Sequence, residues 1–293
     1  MLDGTQIEAI HLFTTPCYSE GVVFDHKGFG YLSEGPRIVR FTVDGKHETF
    51  ATPGRPNGHK ILADGTHVVC DGSHHAMIHL DVDGTMLDPF ATECEGKALR
   101  GPNDVTLDVP NGGFYFTDPG DSNLDNPIGT VHYVNSQGVT YLVDEGGLGF
   151  PNGIVLTPDG KMLYLAESLS NRILAYEVKA PGKVGPRSVF AELPVKDPEL
   201  GQINNLPDGI CLDVDGNLFV AHYGMRQVQV LSPKGELLGT LSSGNLTTSN
   251  VAFGGPNMDQ LFVTGGIGKE EGEGGLFRLD VGVRGLAILP PSE

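Results

Sequence analysis

Six short apolar segments of this chain each begin with a side chain that carries an oxygen atom. Carboxylate and amide oxygens are hard donors, and they suit Ca²⁺, Mg²⁺ or Mn²⁺. No segment begins with cysteine or histidine, which argues against a structural zinc site. If the folded chain gathers the six segments, their first residues could together hold one cation. We call these residues the lead residues: Glu20, Asn57, Asn103, Asn152, Asp208 and Asn250.

The spacing of the lead residues indicates which elements position them. Successive lead residues lie 37, 46, 49, 56 and 42 positions apart, a mean of 46. A repeat of that length built from several short strands is typical of a β-propeller blade. Asp-Gly turns between alternating apolar runs predict hairpins, and no long helical stripe is present. We therefore predict an all-β, six-bladed β-propeller that spans residues 1–293 as a single domain.

Three segments outside the repeat also carry expectations. Residues 7–13 read as a strand that completes the last blade and closes the ring. Residues 181–202 read as an insertion between blades, which accounts for the longest spacing. The glycine-rich segment 265–275 lacks the strand–turn–helix context of a dinucleotide-binding loop and is predicted to lie at the mouth of the channel.

Composition limits the partners. The formal net charge is −18, so nucleic acid and anionic membrane surfaces are poor partners. The first residues show no basic or apolar targeting pattern, and no run approaches membrane-spanning length, which predicts a cytoplasmic protein. Its four cysteines show no CxxC spacing and are expected to be reduced. A small-molecule substrate and a monomer or small homo-oligomer fit these features.

In a propeller meander, the loop after the second strand of each blade returns to the end where the first strand starts. These loops are therefore expected to surround the lead residues and to line a substrate pocket. They carry Glu34, His74, His75, Asp118, Glu167, His222 and Tyr223.

Six short motifs of the chain resemble those of a known family. Its motifs Glu20-Gly21, Asn103-Asp104, Phe116-Thr117-Asp118-Pro119, Phe150-Pro151-Asn152-Gly153, Pro207-Asp208-Gly209 and Phe253-Gly254-Gly255 look like those of the SMP-30/gluconolactonase/LRE-like family, in order and over nearly the whole chain. The resemblance implies a six-bladed propeller and a lactonase that depends on one divalent metal ion. Ca²⁺ is the first choice for that ion, with Zn²⁺, Mn²⁺ or Mg²⁺ as alternatives.

The resemblance also implies roles for particular residues. Glu20, Asn152 and Asp208 match the metal ligands, and Asn103 matches a position that contacts the metal or the substrate. Arg100 lies near a position where relatives place an arginine on the substrate. Two differences bear on the substrate: the chain contains no tryptophan, and Arg100 stands three rather than two residues before Asn103.

A lactonase mechanism follows from these roles. The cation would polarise the lactone carbonyl and stabilise the oxyanion formed on attack. Asp208 would serve as the base for the attacking water, and His222 is the second candidate. Asp104 and Asp118 are expected to order the site or to hold a second ion. The predicted substrate-binding residues are Asn103, Arg100, Asp118, His74 and Tyr223.

Two other functions remain open. Metal-holding propellers also resemble organophosphate hydrolases, which use the same kinds of ligand, and fold alone does not decide between them. A propeller that serves only as a binding module would need no carboxylates directed into one channel. Such a module would favour exposed aromatic clusters, whereas only 8% of the residues here are aromatic.

Overall fold

Antiparallel strands joined by tight turns form nearly all the regular structure of the chain. The structure is a computed structural model that describes residues 7–196, 205–268 and 272–291. Two short 3₁₀ turns, Val109–Asn111 and Ser168–Ser170, are the only helical elements within these ranges. None of the described residues forms a helix long and apolar enough to cross a membrane.

The strands follow in chain order, grouped here by blade. The N-terminal strand is β1 (Ile10–Thr15). Blade one contains β2 (Ser19–Phe24), β3 (Gly30–Glu34), β4 (Arg37–Phe41) and β5 (His47–Ala51). Blade two contains β6 (Pro56–Ile61), β7 (His67–Asp71) and β8 (Ala76–Leu80), and the short strands β9 (Glu93–Cys94) and β10 (Lys97–Ala98) follow it. Blade three contains β11 (Val105–Asp108), β12 (Gly113–Asp118), β13 (Gly129–Val134) and β14 (Thr140–Leu148). Blade four contains β15 (Pro151–Leu156), β16 (Met162–Glu167), β17 (Arg172–Ala180), β18 (Lys183–Val184) and β19 (Ser188–Glu192). Blade five contains β20 (Leu206–Leu212), β21 (Leu218–Tyr223), β22 (Gln227–Leu231) and β23 (Leu237–Ser242). Blade six contains β24 (Thr247–Gly254), β25 (Gln260–Gly266) and β26 (Gly274–Asp280).

The six-bladed all-β propeller predicted from the repeat is confirmed. Six antiparallel sheets of three to five strands follow one another along the chain, and each contains a strand that carries a lead residue or begins within two residues of one. Blade two has only three regular strands. Irregular residues take the place of a fourth, outer strand and hydrogen-bond to β8. The amide of Met77 donates to Ala91 O, and the amide of Phe90 donates to Met77 O.

The N-terminal strand lies in the last blade. Strand β1 pairs antiparallel with β26, with Ile10 opposite Arg278 and Thr15 opposite Gly274. The sheet order of blade six is therefore β1-β26-β25-β24. This strand begins and ends slightly later than the predicted segment 7–13.

Apolar packing joins each blade to the next. The buried apolar residues form six clusters, and each cluster is shared by two neighbouring blades. The cluster between blades six and one contains Phe13, Phe24, Phe41 and Phe262. Burial of this apolar surface is what holds the ring closed.

Two regions differ from the sequence-based expectations. The predicted insertion 181–202 contributes β18 and β19, and β19 pairs with β17 within blade four, so this part belongs to a blade. Residues 197–202 of that prediction, and residues 269–271 of the predicted mouth loop, lie outside the described residues. The C-terminal stretch 285–289 crosses the end of the channel opposite the lead residues, where Leu286, Ile288 and Leu289 pack against the cores of different blades.

Candidate active site

An irregularity at the lead residues sets the direction of their side chains. In five of the six blades the register between the first and second strands shifts there, as between Glu20 and Val23 or between Pro207 and Ile210. A bulge of this kind inserts an extra residue into one strand and turns a side chain away from the regular pleat. The bulges therefore explain how residues of the innermost strands come to face the channel.

The repeated glycine after the lead residue has a packing role. A Cβ atom on Gly153 would lie 2.0 Å from Asp208 O, and one on Gly21 would lie 2.0 Å from Asn57 O. Neighbouring inner strands therefore approach more closely at the channel than any side chain allows. In blade three Asp104 takes the place of this glycine.

Asp104 joins blades three and four. Its carboxylate accepts the amide of Val105 at 2.9 Å and that of Ile154 at 3.3 Å. Thr117 of β12 donates its hydroxyl to Asn152 O at 2.9 Å. Together these bonds fix the strand that carries Asn152 relative to the blade that carries Asn103.

Glu20 and Asp208 form the electrostatic centre of the site. Desolvation first, and then the charge of Asp104, raise the pKa of Glu20 to about 8. Desolvation, followed by the charges of Glu20 and Asp104, raises the pKa of Asp208 well above its ordinary value. The hydrogen bonds that Glu20 accepts from Tyr18 and Ser249 offset only part of this effect. Carboxylates gathered in this way repel one another unless a proton or a cation neutralises them.

The donor atoms present fit a hard divalent cation. Two carboxylates converge from blades one and five, and the side chain of Asn152 hydrogen-bonds to Asp208. Asn103 and Glu20 line the same cavity. The described residues contain no group of three or more His, Cys, Asp or Glu side chains placed to hold a metal ion, so a site here must include amide oxygens. Such a mixture is typical of Ca²⁺ and atypical of structural Zn²⁺.

A cavity of about 800 Å³ is lined by Glu20 and Asn103. Of the predicted substrate-binding residues, Asn103 and Arg100 contribute to its wall. Among the residues that the structure describes, His74, Asp118 and Tyr223 do not line the cavity. The wall also includes Tyr18, Arg55, His75 and Phe150.

Asp118 acts on Arg100. Its buried carboxylate accepts the amides of Arg100, at 3.0 Å, and Gly101, at 2.7 Å, and lies 3.7 Å from the Arg100 guanidinium. That guanidinium also donates to Thr130 Oγ1 at 2.8 Å. The structure thus places Asp118 where it holds the predicted substrate arginine, behind the cavity wall.

His74 and Tyr223 lie near the cavity but face other partners. His74 Nδ1 lies 2.9 Å from the buried carboxylate of Asp71, and the His74 side chain is 44% exposed. The ring of Tyr223 meets the ring of Tyr18 edge to face, at 6.4 Å between centroids. Tyr223 therefore reaches the cavity through Tyr18.

His222 is fully buried between blades four and five. Its Nε2 lies 2.8 Å from Asn171 Oδ1, and its Nδ1 accepts from Gln229 Nε2 at 3.1 Å. Desolvation lowers its pKa to about 3. Because both ring nitrogens are engaged and the ring stays neutral, these contacts favour a packing role for His222 over the role of a base.

Tyr18, Ser249 and Arg55 are among the site residues that the sequence-based prediction does not name. Tyr18 and Ser249 hold Glu20, and Arg55 lines the cavity. Tyr18 and Arg55 each stand two residues before a lead residue and immediately before a strand, and alternate residues of an extended chain point to the same side. This spacing is the sequence signal that could have identified Tyr18 and Arg55.

Comparison with known proteins agrees with this architecture. The family model described as "SMP-30/Gluconolactonase/LRE-like region" matches residues 19–266. A gluconolactonase from Zymomonas mobilis is 33% identical over 218 residues, which cover 70% of this chain and 59% of that protein. Diisopropyl-fluorophosphatase from Loligo vulgaris is 25% identical over 245 residues, covering 74% and 76%. A solved gluconolactonase structure from Xanthomonas campestris superposes with a TM-score of 0.79 at 25% identity, covering 94% and 89%.

Proposed function

The chain belongs to the SMP-30/gluconolactonase/LRE-like family, and from that premise we propose that it is a metal-dependent lactonase. It would hydrolyse the ester bond of a small lactone to the corresponding hydroxy acid. The observation that carries this proposal is the pair Glu20 and Asp208, two desolvated carboxylates with raised pKa values, of which Glu20 lines the cavity. The gluconolactonase names of the relatives support the same reaction class.

We assign the metal ligands to Glu20, Asn152 and Asp208, with Asn103 as a fourth. Their oxygen donors fit Ca²⁺ first, and Mn²⁺, Mg²⁺ or Zn²⁺ second. When bound, the cation would supply Lewis-acid polarisation of the lactone carbonyl and stabilise the negative charge that develops on its oxygen. It would also relieve the repulsion between the two carboxylates.

Asp208 is the residue we assign as the general base. With the cation bound, the pKa of Asp208 would be held low and Asp208 would be a weak base, but the attacking water would be activated at the same site, which offsets this. Asn152 donates to the Asp208 carboxylate and so fixes its orientation. A proton taken from the attacking water would reside on an Asp208 carboxylate oxygen and pass to the leaving alkoxide when the ring opens.

Arg100 and Asn103 would orient the substrate. Both line the cavity, and Asp118 together with Thr130 holds the guanidinium of Arg100 in place. A ring held against these groups presents its ester bond to Glu20 and Asp208 below. Such positioning lowers the entropic part of the barrier.

A second candidate is hydrolysis of an organophosphate ester. The similarity to diisopropyl-fluorophosphatase favours it, and oxygen-rich metal sites serve both reactions. A purely binding role is less compatible with the site, because buried carboxylates that repel one another destabilise a fold unless they serve a ligand.

Hydrolysis assays separate these functions. The purified protein is stripped with a chelator, supplied in turn with Ca²⁺, Mn²⁺, Mg²⁺ or Zn²⁺, and tested by proton release on sugar, aliphatic and unsaturated lactones beside a fluorophosphate ester. We expect metal-restored turnover of at least one lactone at a higher kcat/KM than for the phosphorus ester. Turnover of the phosphorus ester alone, or of neither class despite metal binding, would overturn the proposal.

A further inference from the structure

The wall of the cavity repeats one position of the blades. The residue two before the lead residue lines the cavity in blades one to four, where it is Tyr18, Arg55, Gly101 and Phe150. Among these four, Arg55 alone carries a charge. At this position the side chain that a bound molecule would meet therefore differs from blade to blade.

The backbone of Arg55 is fixed on both sides. Its amide donates to the Asp71 carboxylate at 2.7 Å, and its carbonyl oxygen accepts the amide of Gly72 at 2.9 Å. Asp71 is fully buried and also accepts the amides of Ser73 and His74. The side chain of Arg55 runs beside Gly72, where its Cδ would lie 3.7 Å from an added Cβ. The position of Arg55 is thus built into the blade.

The guanidinium of Arg55 has no ion-pair or hydrogen-bond partner among the described residues. All nine arginines lie in that part of the chain, and six of them pair with a carboxylate. Arg55, Arg226 and Arg284 do not, and of these three Arg55 alone lines the cavity. Arg100, by contrast, is already held by Asp118 and Thr130.

The unpaired guanidinium of Arg55 lies in the cavity wall of a strongly acidic protein. Acidic residues number 37 against 19 basic ones, and the net charge is −18. The overall field repels an anion, so an anionic group could be held only by a local cation. A guanidinium is suited to a carboxylate because it offers two parallel donors.

We propose that the substrate is an acidic lactone, a short lactone that retains one free carboxylate, and that Arg55 binds this carboxylate. The inference rests on the lactonase function proposed above and names its substrate class. The ester end of the molecule would face Glu20 and Asp208, and the carboxylate would face blade two. Monolactones of sugar diacids have this chemistry.

A matched pair of lactones tests the proposal. D-Glucono-1,4-lactone and D-glucaro-1,4-lactone differ only at the carbon that carries a hydroxymethyl group in the first and a carboxylate in the second. We expect the metal-loaded protein to hydrolyse the acidic lactone with a kcat/KM at least tenfold higher. In R55Q that preference should fall at least tenfold, mainly through KM. R55K keeps the charge but loses the paired donors, so its preference should be intermediate.

R284Q is the control, because Arg284 is also exposed and unpaired among the described residues but does not line the cavity. It should retain the preference of the unaltered protein. Equal or better hydrolysis of the neutral lactone, or an equal loss on both lactones in R55Q, would overturn the assignment while leaving the lactonase function intact. Hydrolysis of neither lactone with any metal would overturn both. Melting curves of each variant confirm folding.

Discussion

Asp208 is the residue on which most of the proposed chemistry depends, since it is assigned both a metal oxygen and the base. We expect Asp208→Asn to lower kcat by about 10²- to 10⁴-fold, the range typical of a lost general base. The variant keeps the shape of the side chain, so the fold should survive. Asp215→Asn, which alters an exposed aspartate in the turn of the same blade, is the matched control and should leave kcat unchanged. Steady-state kinetics at saturating metal would decide, and a fully active Asp208→Asn protein would rule out the base.

The raised pKa values of Glu20 and Asp208 predict how stability responds to pH. A carboxylate with a raised pKa in the folded state binds protons more tightly folded than unfolded, so its ionisation opposes folding. The metal-free protein should therefore lose stability as pH rises from the ordinary carboxylate range, near 4.5, through about 8, the pKa of Glu20. A bound divalent cation should remove this loss and raise the melting temperature more at pH 8 than at pH 5. Chelated and metal-loaded samples compared by calorimetry would test this; a metal-free stability that rises over the same range would contradict it.

At the residue scale, the sequence and the family resemblance named the lead residues, and the structure brings Glu20 and Asp208 within electrostatic reach of each other. The sequence alone says less about the residues that support them. Asp118 resembles a substrate ligand by its place at the end of a strand, but only the folded contacts show that it accepts the amides of Arg100 and Gly101. The burial of His222 depends on blade four, which lies about fifty residues earlier in the chain.

At the scale of elements, the bulge and its glycine bring the inner strands together at the channel. Gly153→Ala would push a Cβ atom to 2.0 Å from Asp208 O. Overpacking of this kind costs about 1–3 kcal/mol, and relief of the clash would move Asp208 relative to Asn152. We expect a lower free energy of unfolding together with weaker metal binding, measured by denaturant titration and calorimetry.

Gly185→Ala is the control for that substitution. An added Cβ at Gly185 meets its nearest neighbour at 3.5 Å, an ordinary van der Waals distance. It should change neither stability nor metal affinity. If Gly153→Ala behaved in the same way, the close approach of the inner strands would not be needed for the site.

The elements themselves were largely predictable, and their exceptions have physical reasons. Asp-Gly turns and alternating apolar residues predicted the hairpins. The bulges were hidden because an extra residue leaves the local composition unchanged. The outer edge of blade two lacks a regular strand because residues 86–91 bond to β8 at only a few positions, a detail that apolar patterning does not reveal.

At the scale of the whole molecule, the ring closes by pairing the first strand with the last blade. Deletion of residues 1–14 would remove most of β1, including Phe13, which packs in the cluster between blades six and one. Loss of one buried aromatic side chain costs about 3–5 kcal/mol, so we expect at least that destabilisation and a melting transition at markedly lower temperature. Deletion of residues 1–6, which removes none of the described residues, is the control. An unchanged transition after the longer deletion would show that β1 is dispensable.

The sequence predicted six blades because the spacing of the lead residues is a property of the whole chain. It did not predict that the C-terminal stretch closes the far end of the channel. There the amide of Leu286 donates to Leu212 O and the amide of Gly285 donates to Met258 O. A short apolar run such as Leu286–Leu289 reads equally well as an edge strand, and only the assembled ring offers it a channel to cover.

The central claim is that one divalent cation, held by Glu20, Asn152 and Asp208, makes the channel a lactonase site. The most direct measurement is a calorimetric titration of the chelated protein with Ca²⁺, run beside lactone turnover on the same samples. We expect one equivalent to bind, turnover to rise in parallel with occupancy, and Glu20→Gln to weaken binding and turnover together. Full turnover in the chelated protein, or unchanged Ca²⁺ affinity in Glu20→Gln, would contradict the claim.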